Sequence, residues 1–387
     1  MRNNIASMAA SLPEADCADI SKLSEEIRVC IAAGRFDWIG ELGEAIFAQA
    51  VNEGVETGNY ELILDHAVRA LAEYQSVESL QTLLRIPSAL GSGKVERDRG
   101  ERRLASLVAH GQRAEHIERV LFDASSESVH SQNFLACLIQ ELVLSSVAIE
   151  QYPKISSFAE SLISEGHPLG VLPLRLLPEE EVLRRPPDAA PDWTWAVPPG
   201  STTANLPQKP LPGSDHLLDI EIAETSVTES ANAMAAAVNH WRTQSNGRVV
   251  AQDFWTADPI AREEFPDIFK QLPLAPWNAE PSQARLYPST LDLTLRTLLS
   301  AATLGPAYGP GLYGAYGRLA TWQSLGGLTG CPPDTPVTHI AEVARGAYWF
   351  RTDIKSAWFY EVAWDLSVAV LRPGGQEIAF LAATDTD

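Results

Sequence analysis

The sequence predicts an α+β protein, an N-terminal all-α helical domain followed by a C-terminal α+β domain that ends in an antiparallel β-hairpin. Three observations carry this. Apolar residues recur at three- and four-residue spacing from about residue 20 to residue 164. Ten of the chain's 26 prolines crowd into residues 172–215. Beyond residue 190, where nine of the ten tryptophans lie, apolar residues alternate instead, most clearly in the last thirty.

In the first domain, "FDWIGELGEAIFAQAV" sets Ile39, Leu42, Ile46, Phe47 and Val51 on one helical stripe. Further helices are expected at "YELILDHAVRALAEY", "VESLQTLLRI", "RRLASLVAH", "AEHIERVLFDA" and "SQNFLACLIQELVLSSVAI". A Gly-x-aromatic-acid step at Gly34 recurs at Gly58 and weakly at Gly111, as stacked helical hairpins would produce. Its period is broken, so a bundle and an irregular helical-hairpin array both fit.

Proline blocks helix interiors and central strands, so residues 172–216 read as an extended connection between domains 1–171 and 217–387. In the second domain, strands are expected at "LLDIEIAET", "RVVAQDFWTA" and "YWFRTDI", and helices at "VTESANAMAAAVNHW", "STLDLTLRTLLSAAT", "YGAYGRLATWQSL" and "VTHIAEVARGA". The hairpin pairs residues 358–371 with the strand after "RPGGQ". A three-residue turn at Pro373-Gly374-Gly375 would oppose Val370 to Ile378, Val368 to Phe380 and Leu366 to Ala382.

Formal charge is 29 − 50 = −21, split between residues 1–172 (14 − 25 = −11) and the remainder (15 − 25 = −10). So negative a field repels nucleic acid and anionic membranes and steers a basic protein partner inward. The one basic cluster, Lys94 to Arg103, is interleaved with Glu96, Asp98 and Glu101 and reads as a solvated helix face. Cys17, Cys30, Cys137 and Cys331 form no C-x-x-C pair, and the N-terminus has no signal-like apolar core. A cytoplasmic location with reduced thiols is the expectation.

Chemical motifs are sparse. Gly309-x-Gly311-x-x-Gly314 has the dinucleotide spacing, but a helical pattern precedes it where a strand is required, so close packing is the better account. "GSGK" at Gly91 to Lys94 departs from a phosphate loop at both ends. The eight histidines contain no H-E-x-x-H, and no G-x-S-x-G elbow is present; neither a metal nor a cofactor is expected. Glu361 and Asp365 share one face of an expected strand about 13 Å apart, too far to act as a glycosidase pair. Arg318, His339, Glu361 and Asp365 are the candidate pocket residues of the second domain, with the acids tied structurally to Arg318, Arg351 or Arg372 as the competing account.

"AYGRLATWQSL", "WFYEVAWDLSVAVLRPGG" and the terminal "LAATDTD" resemble a family of uncharacterised actinobacterial proteins, a domain of unknown function. That resemblance, carried mainly by the C-terminal third, implies a bacterial cytoplasmic protein and nothing chemical. The function expected from the whole chain is non-enzymatic binding of another protein in a regulatory or immunity-like role. The alternative is an enzyme or small-molecule sensor with a pocket in the second domain.

Overall fold

The computed structural model describes residues 2–53, 58–87, 94–123, 130–186, 209–213, 218–276, 284–354, 356–360 and 364–386. Contacts divide the chain into two compact units, Met1–Gly170 with Arg185–Asp192, and Val171–Arg184 with Trp193–Asp387. The boundary thus falls inside the proline-rich stretch, whose start is integral to the second unit rather than a free connection.

The first unit is helical: α1 (Arg2–Ser11), α2 (Cys17–Ala32), α3 (Phe36–Glu53), α4 (Gly58–Glu73), α5 (Val77–Leu83), α6 (Lys94–Gly111), α7 (Ala114–Leu121), α8 (Gln132–Leu144) and α9 (Pro153–Ser164). Short polar side chains start several of them. Asp16 accepts from the amides of Ala18 and Asp19, Ser76 from Ser79, and Ser131 from Phe134. From α1 to α8 each helix packs on the one two places ahead, α1 on α3, α2 on α4, and so on to α6 on α8. Odd and even helices therefore form two layers, the arrangement of a helical-hairpin array.

Glycines set the closeness of that stacking. A Cβ on Gly43 would meet Ile86 Cδ1 at 2.7 Å, and one on Gly111 would meet the Ala72 carbonyl oxygen at 2.1 Å. Beside it, Gln112 Nε2 donates to the carbonyls of Ala72 (2.9 Å) and Tyr74 (2.8 Å), closing the end of α4. The expected α3 stripe needs one correction. Ile39, Leu42 and Ile46 are fully buried, but Val51 is 56% exposed, because the buried stripe continues through Ala50. Arg185 returns to this unit and donates from Nη2 to Ser106 Oγ (2.7 Å) and to Glu141 Oε2 (3.1 Å), all three side chains being buried.

The second unit is built on a six-stranded antiparallel sheet of order β1-β2-β6-β5-β4-β3. Its strands are β1 (Ile222–Glu224), β2 (Arg248–Thr256), β3 (Ala284–Pro288), β4 (Tyr348–Ile354), β5 (Trp364–Leu371) and β6 (Glu377–Asp385). Its helices are α10 (Thr228–Met234), α11 (Asn239–Gln244), α12 (Phe265–Phe269), α13 (Leu291–Leu304), α14 (Tyr313–Thr329) and α15 (Val337–Arg345). On one sheet face Phe254, Phe350, Leu371 and Phe380 pack with Phe265, Ile268 and Phe269 of α12. The rings of Phe265 and Phe350 stack at 4.5 Å.

The hairpin differs from expectation by one residue. Val370 opposes Ala379, Val368 opposes Leu381 and Leu366 opposes Ala383. Arg372 and Glu377 still bond across the end, Arg372 N donating to the Glu377 carbonyl, which leaves a four-residue loop with Gly374 and Gly375 at positive φ. Both strand faces are buried, so the slip was not visible in hydrophobicity. The single helix expected over residues 227–241 is broken into α10 and α11, and β5 begins at Trp364.

One buried ion pair ties the proline-rich stretch into this unit. Pro178–Leu183 forms a 3-10 turn in which Glu180 accepts from its own Leu177 amide at 2.8 Å. The same carboxylate takes Arg318 Nε (2.6 Å), Arg318 Nη2 (2.7 Å) and Trp322 Nε1 (2.7 Å) from α14. Arg318 also donates from Nη1 to the Pro173 carbonyl (2.9 Å) and from Nη2 to the Arg175 carbonyl (3.2 Å). Both side chains of the pair are 0% exposed.

In α11, His240 is 5% exposed with no hydrogen-bond partner at either ring nitrogen, and burial pushes its pKa down to about 4. Between that value and the ordinary 6.5, the unfolded chain takes up a proton that the folded chain refuses. Stability therefore falls as pH drops through that window, by roughly 3 kcal/mol in full, and the penalty is absent above it.

Two outcomes follow. Glu180→Gln or Arg318→Met destabilises the second unit by about 3–5 kcal/mol in urea denaturation, because the surviving partner is a buried unpaired group, while the double variant Glu180→Leu/Arg318→Met recovers most of the loss. His240→Phe removes the His240 share of the acid slope, so the difference between its melting curve and that of the unaltered protein shrinks above pH 6.5 and widens toward pH 4.

Candidate functional site

Period-two alternation along β2 sends Phe254 into the core and Asp253 and Trp255 to the opposite face. Over that second face opens a cleft of about 440 Å³, walled by the start of α10, the end of α14 and the β5–β6 loop.

Its floor is a densely hydrogen-bonded polar cluster. Arg372 donates from Nε to the Leu328 carbonyl (3.0 Å), from Nη2 to the Gly327 carbonyl (3.0 Å) and to Asp253 Oδ1 (2.6 Å), and from Nη1 to Glu377 Oε2 (3.1 Å). Four of the five guanidinium donors are thereby engaged, two of them on the carbonyls that end α14. Asp253 is equally committed: Ser230 Oγ donates to its second oxygen, and its own amide donates to Ser226 Oγ at 3.0 Å. Two glycines make room. Gly330 closes α14 at φ +75°, where a Cβ would come within 3.0 Å of the Arg372 guanidinium carbon. A Cβ on Gly327 would meet the Met234 amide nitrogen at 2.5 Å.

The rim is where a ligand would meet the protein. Trp255, 40% exposed, stands directly across the ladder from Glu377, whose side chain is 57% exposed. Glu229 of α10 is exposed on the same cleft. Asp253 and Arg372 neutralise one another, so the two glutamates leave the cleft acidic. An indole face between carboxylates suits a cationic group, each such contact being worth about 0.5–2 kcal/mol.

The residues expected to share a pocket do not meet in this one. Arg318 is not a pocket residue, being fully buried against Glu180. His339 is exposed on α15 and contacts Glu342 one turn on, Nδ1 to Oε2 at 3.2 Å. Asp365 accepts from Thr384 Oγ1 at 2.6 Å in the β5–β6 ladder. Glu361 and the Gly91–Gly93 stretch lie outside the described residues. The glycine spacing at 309–314 does serve packing, since a Cβ on Gly311 would lie 1.7 Å from the Thr303 carbonyl oxygen of α13. Its preceding element is that helix, so the strand-to-helix setting of a dinucleotide loop is missing.

A family model described as a family of unknown function, DUF6183, matches residues 21–387. The chain belongs to the DUF6183 family. The match takes in the helical unit as well as the C-terminal third. No curated protein and no solved structure matches the chain.

Among the described residues, no three His, Cys, Asp or Glu side chains gather into a metal-holding group, and no helix is long and apolar enough to cross a membrane. Burial raises the thiol pKa of Cys30 and Cys137. Sequence reading missed Asp253 and Trp255 as site residues, although "QDFWT" already places them on one strand face. It could not find Arg372 beneath them, because that contact spans 119 residues.

Gly327→Ala tests how the cleft is held. The added methyl meets backbone rather than a movable side chain, so the substitution costs about 1–3 kcal/mol in urea denaturation. It also displaces α10 from α14, raising hydrogen exchange in residues 228–234.

Proposed function

We propose that this protein of the DUF6183 family works by binding a basic protein partner in a regulatory or immunity-like role, in the cytoplasm of an actinobacterium. The observation that carries this reading is the exposed Trp255 set opposite Glu377 and beside Glu229. An arginine or lysine from the partner would lay its cation on the indole and pair with the glutamates. The hydrogen-bonded floor suits a binding role, since Arg372 and Asp253 are committed to holding the cleft open.

Two further features support it. Stacked helical layers offer a long surface for protein recognition, the common use of such arrays. The odd-numbered helices α1, α3, α5 and α7 carry Asp37, Glu41, Glu44, Glu53, Glu78, Glu115 and Glu118 against Arg2 and Arg119, which is 2 − 7 = −5. A net charge of −21 would accelerate the approach of a basic partner and make the encounter sensitive to salt. The resemblance of the C-terminal third supports the bacterial and cytoplasmic setting.

Calorimetric titration of the full chain with a short arginine-rich peptide is the test. Binding that weakens steeply with added salt, and by about tenfold in Trp255→Ala and in Glu229→Gln/Glu377→Gln, is the expected result. An affinity unchanged by Trp255→Ala, or no heat at any salt concentration, would overturn the reading.

A further inference from the structure

A second cleft, of about 430 Å³, lies in the same unit at the N-terminus of α13 and shares no residue with the first. Two guanidiniums and two carboxylates line it: Arg262, Arg345, Glu179 and Asp292. Arg262 sits 5.6 Å above the ring of Tyr348. Glu179, only 8% exposed, gives one oxygen to Arg345 Nε, while its other oxygen, Oε2, has no hydrogen-bond partner. A buried carboxylate oxygen left unmatched is costly and asks for a donor.

The opposite charge preference is built into the same cleft. Thr290 caps α13 by accepting from the Leu293 amide at 3.2 Å. That leaves the Leu291 and Asp292 amides of this 14-residue helix without intrahelical acceptors. Helix-start amides beside two guanidiniums favour an anion. A simple anion would leave Glu179 unmatched and face Asp292, and a simple cation would face both arginines. A zwitterion answers both.

We propose that this cleft binds a free α-amino acid, its carboxylate at the α13 amides and the Arg262 and Arg345 guanidiniums, its ammonium pairing with the Glu179 carboxylate. Trp349 is 5% exposed and fixed by its Nε1 bond to the Ala344 carbonyl at 2.9 Å. With Leu291 it provides the apolar wall for the amino acid's side chain. The volume falls in the range of small-molecule sites. This inference stands apart from the protein-binding reading, since a metabolite-responsive unit can exist with or without a basic partner.

The test is thermal shift and calorimetry on the full chain with L-leucine, L-phenylalanine and L-glutamate, each beside its N-acetyl and carboxamide forms. At least one free amino acid should raise Tm, with both blocked forms bound about tenfold more weakly, the loss of one charged contact each. Glu179→Gln keeps the shape and should lose about tenfold in affinity. Should that variant fold poorly, Arg262→Ala, at an exposed position, should lose at least severalfold. No shift with any free amino acid, equal binding of the blocked forms, or full affinity in a folded Glu179→Gln or Arg262→Ala protein would overturn the assignment.

Discussion

The proline-rich stretch is built into the second unit through the contact between Glu180 and Arg318. Two full charges sit at 0% exposure, a state that folding tolerates only if every donor and acceptor is matched. The matching is nearly complete: four donors converge on the two carboxylate oxygens, two from Arg318, one from Trp322 and one from the Leu177 backbone. The pair holds Pro178–Leu183 against α14. It thereby places Glu179, the next residue, at one cleft while α14 runs on to the other.

A second buried pair, Asp253 with Arg372, has the same logic at smaller scale. Its arginine ends α14 by taking the carbonyls of Gly327 and Leu328, so helix termination and strand β2 are joined through a single side chain. Glycine is required at 327 and 330 because backbone and guanidinium approach where a methyl would stand. The Trp255 cleft is thus a consequence of packing around a satisfied ion pair, and its chemistry lies at the rim. The Glu179 cleft differs in kind, because there a lining residue carries a buried oxygen with no partner.

Much of the fold was legible because periodicity is a local property. The helices of the first unit from α2 onward, β4 at "YWFRTDI" and the long helices α13 and α14 follow directly from apolar spacing. Where local pattern was ambiguous the reading failed. Both faces of β5 and β6 are buried, so alternation could not choose between two registers one residue apart, and the loop chose the other. β3 and α12 escaped because "ARLYP" and "FPDIF" are short and carry prolines, which local propensity scores as loop.

By itself the sequence determined the fold class, the acidity of both halves, the helical character of the first unit and the glycine packing of the 309–317 loop, all of which depend on residues near one another in the chain. Only the tertiary structure decided who pairs with whom. Arg318, one of three arginines offered as partners for Glu361 and Asp365, answers Glu180, 138 residues away, across a stretch that reads as a connection. An ion pair carries no sequence period, since any carboxylate can satisfy any guanidinium, and the choice belongs to the packing that brings one of them within reach. For the same reason the two clefts, each made of residues from separate elements, exist only in the folded chain.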